Sequence, residues 1–336
     1  MKRILWIDNA KALGIFLVIL AHTQINGSVT DWISVFRMPL FFFISGYLFS
    51  FERNPSIKEF IKKRFHQIVI PYIIINVITY FFWLFIGRNY GISGNEDSIA
   101  WYSPIIAMLL CDGKNMVHDI PLWFLLCLFI VEVVYHFLYK TRTRIQRWLI
   151  TFTFGIMGYI NYKFVPIVLP FSLGTAFVGM MFYFLGNEIA LYKRKYKTPS
   201  LLQFLLLIVS LCIVTYFSII NERVYLYCNH YGNYLYFILA ALSGIYMMFA
   251  LSDYISKVFG NNSIIRYISN NTLVICGFHL MIYTLLKGIA VYIFSMPLDI
   301  FYGTVLPNVL LTTVGLVCCC LLAYLFNKYY PIVLGK

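Results

Sequence analysis

A chain of 336 residues that is 61% hydrophobic, 19% aromatic and only 12% charged is too apolar for a soluble globular domain of this length. Its formal net charge of +13 comes from basic residues dispersed over several short segments, which argues against a nucleic-acid-binding face. Runs of about 20 apolar residues recur, each able to cross a bilayer core of about 30 Å as a helix. Strand alternation is absent, so helices rather than a barrel satisfy the backbone in lipid.

The expected architecture is an all-α integral membrane protein, a bundle of about ten transmembrane helices forming one unit over residues 1–336 with no separate soluble domain. The predicted spans lie near Lys11–Gly27, Trp32–Phe51, Ile68–Gly87, Pro121–Tyr139, Trp148–Val165, Phe171–Leu191, Leu201–Ile220, Asn233–Leu251, Ser269–Ser295 and Tyr302–Phe326. With the N-terminus in the cytoplasm, all the basic residues fall in inside segments except Arg37, Arg88, Lys114, Lys163, Arg223 and Lys287. That bias puts both termini inside. Lys2 and Arg3 before an apolar run resemble a signal peptide. Asp8 and Lys11 interrupt the run, however, and no small-x-small cleavage site follows Leu20, so the segment is read as a mature helix.

In the first helix, an 11-residue step from Lys11 to His22 returns within about 20° of the same face, so Asp8, Lys11 and His22 form one stripe. Lys11 is placed near the inner surface, with His22 ~16 Å further along the axis. A short outer turn, Asn26 to Asp31, makes the second helix an antiparallel neighbour. Arg37 then lies about 9 Å inside the outer end, close to the depth of His22, so the two are expected to share a pocket. Ser45 and Gly46 lie deeper, a small pair that lets a ligand or backbone approach closely.

The inner loop from Glu52 to Gln67 is rich in Lys and Arg. It reads equally as ordinary topology or as a phosphate-binding surface, with Lys63 and especially Arg64 beside the mouth of the third helix. The outer stretch from Arg88 to Ile120 sets Glu96, Asp97, Asp112 and Asp119 against Arg88 and Lys114, and its apolar middle, Ile99 to Cys111, suggests a short surface helix.

The fourth helix opens Pro121-Leu-Trp123-Phe and carries Glu132 near mid-membrane. The ninth carries His279 at similar depth. Ionisable residues inside a membrane are functional candidates by default, weighed against structural hydrogen bonding. His66, His118, His136 and His230 are placed at helix ends or in loops and read as structural. The eight cysteines lack metal-ligand spacing, and Cys318, Cys319 and Cys320 read as packing residues. Cys111 and Cys228 share the outer side, although spacing alone does not establish a pair. No zinc motif, nucleophile elbow or P-loop occurs, and no metal is expected.

Together these residues resemble acyltransferase family 3 of the membrane-bound O-acyltransferases, in the branch similar to sugar O-acetylases such as fucose 4-O-acetylase. The resemblance rests on Asp8, Lys11 and His22, on Phe36 through Tyr47, on Lys62-Lys63-Arg64 before Pro71-Tyr72, on Leu122-Trp123-Phe124, and on His279-Leu280. The chain departs from the family pattern at Arg37, where many members of the branch have His, and at Gln67, where a second Arg is common.

The resemblance implies transfer of an acyl group, usually acetyl, from acetyl-CoA to a hydroxyl of a glycan or lipid-linked sugar. It implies a catalytic His22, with a multi-pass place in a bacterial cytoplasmic (inner) membrane. Asp8 and Arg37 are expected beside His22 in the catalytic group, with Lys11, Lys63, Arg64 and Ser45 on the donor and Trp123, Glu132 and His279 on the acceptor. The expected partners are the acceptor and the lipid bilayer; a homodimer is compatible with such a bundle. The rival reading is a transporter or flippase of a glycan-related or anionic solute, which buried His22, Arg37, Glu132 and His279 would also serve.

Overall fold

Backbone polar groups that cannot reach water must bond within their own segment, and this chain meets that demand with helices. The computed structural model describes residues 3–90, 99–165, 167–193 and 200–336. Among these, extended pairing is limited to one isolated bridge between Tyr225 and His230. Lys2, Glu96, Asp97, Arg194, Lys195 and Lys197, all used in the charge reading, lie outside the described residues.

The helices are α1 Leu5–Leu20, α2 Gly27–Ser34, α3 Arg37–Leu48, α4 Ile57–Arg64, α5 Ile70–Phe82, α6 Ser103–Leu110, α7 Trp123–Tyr139 and α8 Arg144–Phe164. They continue as α9 Leu173–Lys193, α10 Ser200–Ile220, α11 Tyr234–Phe259, α12 Ser263–Asn270, α13 Thr272–Tyr292 and α14 Leu306–Tyr329. Seven helical stretches among the described residues are long and apolar enough to cross a membrane: Ile57–Gly87, Ile120–Tyr139, Pro170–Leu191, Leu201–Ile220, Tyr234–Phe259, Thr272–Tyr292 and Leu306–Tyr329. The other three expected spans correspond to α1, to α2 with α3, and to α8. Of these, α1 has only 16 residues, and α8 carries Arg144, Arg147 and Lys163.

Two local departures from the expected pattern shape the site. First, α1 stops at Leu20, so His22 sits in the turn beyond it and not on a continuous helical stripe. Thr23 donates its hydroxyl to the Leu20 carbonyl at 2.7 Å, and Gln24 takes a left-handed φ of 64°. Second, the expected outer turn from Asn26 to Asp31 is mostly helical, capped by the Asn26 side chain, and the expected second span breaks at Val35 and Phe36. Pro39 explains the break, because it has no N–H to offer the Val35 carbonyl and its ring crowds that oxygen. Arg37 therefore begins a new helix.

Packing around the break is close. A Cβ on Gly46 in α3 would lie 1.8 Å from the Tyr183 carbonyl oxygen of α9, and one on Gly186 would lie 2.0 Å from that of Phe43. Only glycine permits the two backbones to meet this way. Asn9 ties α1 to α11 through the Ser252 carbonyl at 3.0 Å. The outward faces are apolar, with Ile145 and Ile219 each 74% exposed, as a lipid-facing surface requires. The apolar outer stretch forms α6, as its sequence suggests.

A cationic cavity as the candidate active site

The bundle encloses a cavity of about 640 Å³. Lys11 and His22 both line it, one in the second turn of α1 and one just past its end, so it extends along most of that helix. α3 runs beside α1 in the opposite sense and places Arg37 at the His22 end, with Ser45 deeper along the wall. Between the two ends the wall is apolar, including Val18, Ile44, Phe124 and Leu128.

At the Lys11 end, Arg64 closes α4 just before a π-helical turn, Phe65–Val69. Its guanidinium meets the Glu132 carboxylate of α7 through two parallel bonds, Nη2 to Oε1 at 2.5 Å and Nε to Oε2. A third donor, Nη1, reaches Gln67 Oε1 at 2.8 Å. Such a fork fixes the plane of the guanidinium as well as its position. Arg64 and Gln67 line the cavity, whereas Glu132 is buried behind them and absent from its wall. The expected acceptor contact for Glu132 is thus replaced by a positioning contact to Arg64.

The chain's last helical turn, Pro331–Leu334, packs on the same face. Gly335 has φ +65°, and a Cβ there would lie 2.6 Å from Gln67 Cα. This close seat brings Lys336 to the wall, with its Nζ on Asn327 Oδ1 at 2.6 Å.

Asp8 does not join the His22 end. It receives Arg3 Nε and Nη2 at 2.5 and 2.9 Å and the Ser269 hydroxyl at 2.7 Å. The helix from Asp8 to Leu20 alone rises about 18 Å, and His22 lies beyond its end. The expected catalytic grouping of Asp8 with His22 and Arg37 is therefore divided by distance, and Asp8 serves instead to join α1 to α12. Lys63 is exposed on α4 and absent from the wall.

At the other end, the His22 ring lies 5.3 Å from that of His279, centre to centre. The Nδ1 of His279 faces the Ile275 carbonyl at 3.0 Å, so in the neutral ring Nδ1 carries the proton and Nε2 is an acceptor. That Nε2 is buried without a hydrogen-bond partner. His279 is fully buried and is absent from the cavity wall, but it backs His22 directly. Arg37 donates one long bond, 3.5 Å, to the Val18 carbonyl. Among the described residues no carboxylate pairs with it.

Arg223, Tyr225 and Tyr227, from the segment between α10 and α11, complete this end. Arg223 pairs with Asp31 at 3.2 Å and lies over the Tyr225 ring at 5.4 Å. Burial raises the Tyr227 phenol above its ordinary pKa, keeping it a neutral hydrogen-bonding group. Trp123 is on the wall, and a Cβ added to Gly113 would meet both Tyr227 and Trp123, at 2.9 and 3.3 Å. Sequence reasoning missed this trio, although Arg223 is among the few basic residues outside the inner segments.

Three of the histidines read as structural, His118, His136 and His230, have partners. His118 bonds Asn76 Oδ1 at 2.9 Å, and His136, in the last turn of α7, bonds the Asn54 carbonyl at 2.7 Å. Cys111 and Cys228 are both free.

Long apolar helices surrounding a cavity with cations at both ends define a multi-pass membrane protein with an internal site. Residues 4–328 match the family model Acyl_transf_3, described as an acyltransferase domain, and the chain belongs to that family of acyltransferases. No curated protein and no solved structure matches it.

Proposed function

We propose that the protein is a membrane O-acyltransferase that moves an acetyl group from acetyl-CoA, entering at the Lys11 end, to a hydroxyl of a surface glycan or lipid-linked sugar at the His22 end. The observation that carries this reading is one cavity holding fixed cations at one end and His22 with Arg37 at the other. Lys11, Arg64 and Lys336 suit the phosphates of the donor, and the apolar middle with Ser45 suits its long thin arm. In the full arrangement ten segments span a bacterial cytoplasmic membrane, with both termini and the donor inside, and the protein acts alone or as a homodimer.

An alcohol is a weak nucleophile and needs a base. His22 removes the hydroxyl proton as the oxygen attacks the thioester carbonyl. Arg37 offsets the oxyanion of the tetrahedral intermediate. Collapse breaks the carbon–sulfur bond, and the proton held on His22 returns to the departing thiolate. The Nε2 of His279 offers an acceptor that steadies the charged imidazole. His22→Ala is expected to abolish acetyl transfer from labelled acetyl-CoA by purified protein in bilayers while leaving its melting temperature near that of the parent. Near-parental transfer would overturn the assignment.

The break at Val35 and Phe36 favours a second reading, because discontinuous helices also occur at transporter sites. A transporter or flippase would move solute without consuming acetyl-CoA, so donor consumption separates the two.

A further inference from the structure

The His22 end of the cavity contains more cationic charge than the chain itself neutralises. Arg37 and Arg223 both line it, from segments far apart in sequence. Among the described residues, the one carboxylate paired there, Asp31, belongs to Arg223 at 3.2 Å. Arg37 has five N–H donors to satisfy, and among the described residues its single bond is the long one to Val18. An unpaired guanidinium among apolar helices is costly unless something anionic enters beside it.

The developing oxyanion needs only one edge of the Arg37 guanidinium, which leaves the other donors of Arg37 for the acceptor. The second cation, with the ring of Tyr225 beneath it and Tyr227 beside it on the wall, matches a different demand. Aromatic faces suit the apolar faces of a sugar ring, and a guanidinium suits the planar geometry of carboxylate or phosphate oxygens.

We infer that the acceptor is an anionic sugar, whose phosphate or carboxylate group is held between Arg37 and Arg223 while its ring packs on Tyr225 and Tyr227. The inference rests on the acyl-transfer reading only for the word acceptor; the binding site itself stands on the charge and shape of this end. Neutral sugars lack the group that balances Arg37, so they bind poorly even where their hydroxyls could react.

The test uses the full chain in lipid nanodiscs, with coenzyme A at saturating concentration to occupy the Lys11 end. Glucose 1-phosphate, glucuronate and glucose are titrated calorimetrically. At least one anionic probe is expected to bind about tenfold or more tighter than glucose, as charge-assisted bonds allow. Phosphate is the recognised group if glucose 1-phosphate leads, and carboxylate if glucuronate leads. Arg223→Gln is expected to erase most of the preference, and Arg223→Lys to recover part of it, with thermal melting reporting that each variant is folded. Equal affinity for glucose and both anions, or an unchanged preference in folded Arg223→Gln, would overturn the inference. Acetyl-CoA consumption, measured separately, would still test the enzyme assignment, so the two can fail independently.

Discussion

The two ends of the cavity both present arginine, but they treat it differently. At the Lys11 end, Arg64 is locked by Glu132 and Gln67, so the guanidinium is presented in one orientation before any ligand arrives. At the His22 end, Arg37 has one long bond and, among the described residues, no carboxylate. Preorganised charge suits a ligand of constant shape, because the ordering cost is met in folding. Unbalanced charge suits a step at which new negative charge arrives or develops. The difference teaches that a cation's role can be read from the partners that hold it as well as from its place on a wall.

The sharpest way to break the comparison is at the chemistry. His22→Ala is expected to abolish acetyl transfer, a loss of at least about 10²-fold in turnover, measured with labelled acetyl-CoA, with little change in stability. Glu132→Ala should act in the opposite sense. It strands Arg64 and is expected to destabilise the fold by up to about 3–5 kcal/mol, less where water in the cavity reaches the guanidinium. Thermal melting in detergent reads that loss, and an unchanged melting temperature would show that the buried pair does not hold the Lys11 end together.

Arg37→Gln comes next. It is expected to lower turnover by about 10²-fold with little change in melting temperature, because no carboxylate is left behind. A large loss of stability would mean that Arg37 is as firmly held as Arg64, and the contrast between the ends would disappear. Gln67→Ala is the mildest change. Losing one hydrogen bond to a charged group, about 1.5–3 kcal/mol at most, should raise the KM for acetyl-CoA more than it lowers kcat. An effect confined to kcat would move Gln67 from donor binding to the chemical step.

Much of this arrangement is legible along the chain. Charge in an apolar run is costly, so Lys11, His22 and Arg37 stand out by type alone, and they line one cavity with Arg64, which its place beside the mouth of a helix singles out from a basic loop. Ser45 and Trp123 line it too. Asp8 and Glu132 stand out for the same reason, but a residue type does not reveal whether its partner is a ligand or another side chain. Arg3 and Ser269 take up Asp8, and Arg64 takes up Glu132. Helical phase alone could not reveal that α1 ends before His22, because the local Thr23 hydroxyl and the left-handed Gln24 decide it. The break ahead of Arg37 was open to inference from Pro39.

The sequence by itself determined the solvent and the class of structure: apolar composition demands lipid, and lipid demands self-satisfied helices. It also singled out most of the ionisable residues that line the cavity. Only the tertiary structure decided which of them meet. Arg223 and Tyr227 arrive at the His22 end from the segment between α10 and α11, Lys336 reaches the Lys11 end through the seat of Gly335, and His279 comes behind His22 from α13. Periodicity assigns a face to a residue within one helix, whereas contacts between distant segments depend on backbone approach of the kind Gly46 and Gly186 permit, and that information lies in no single stretch.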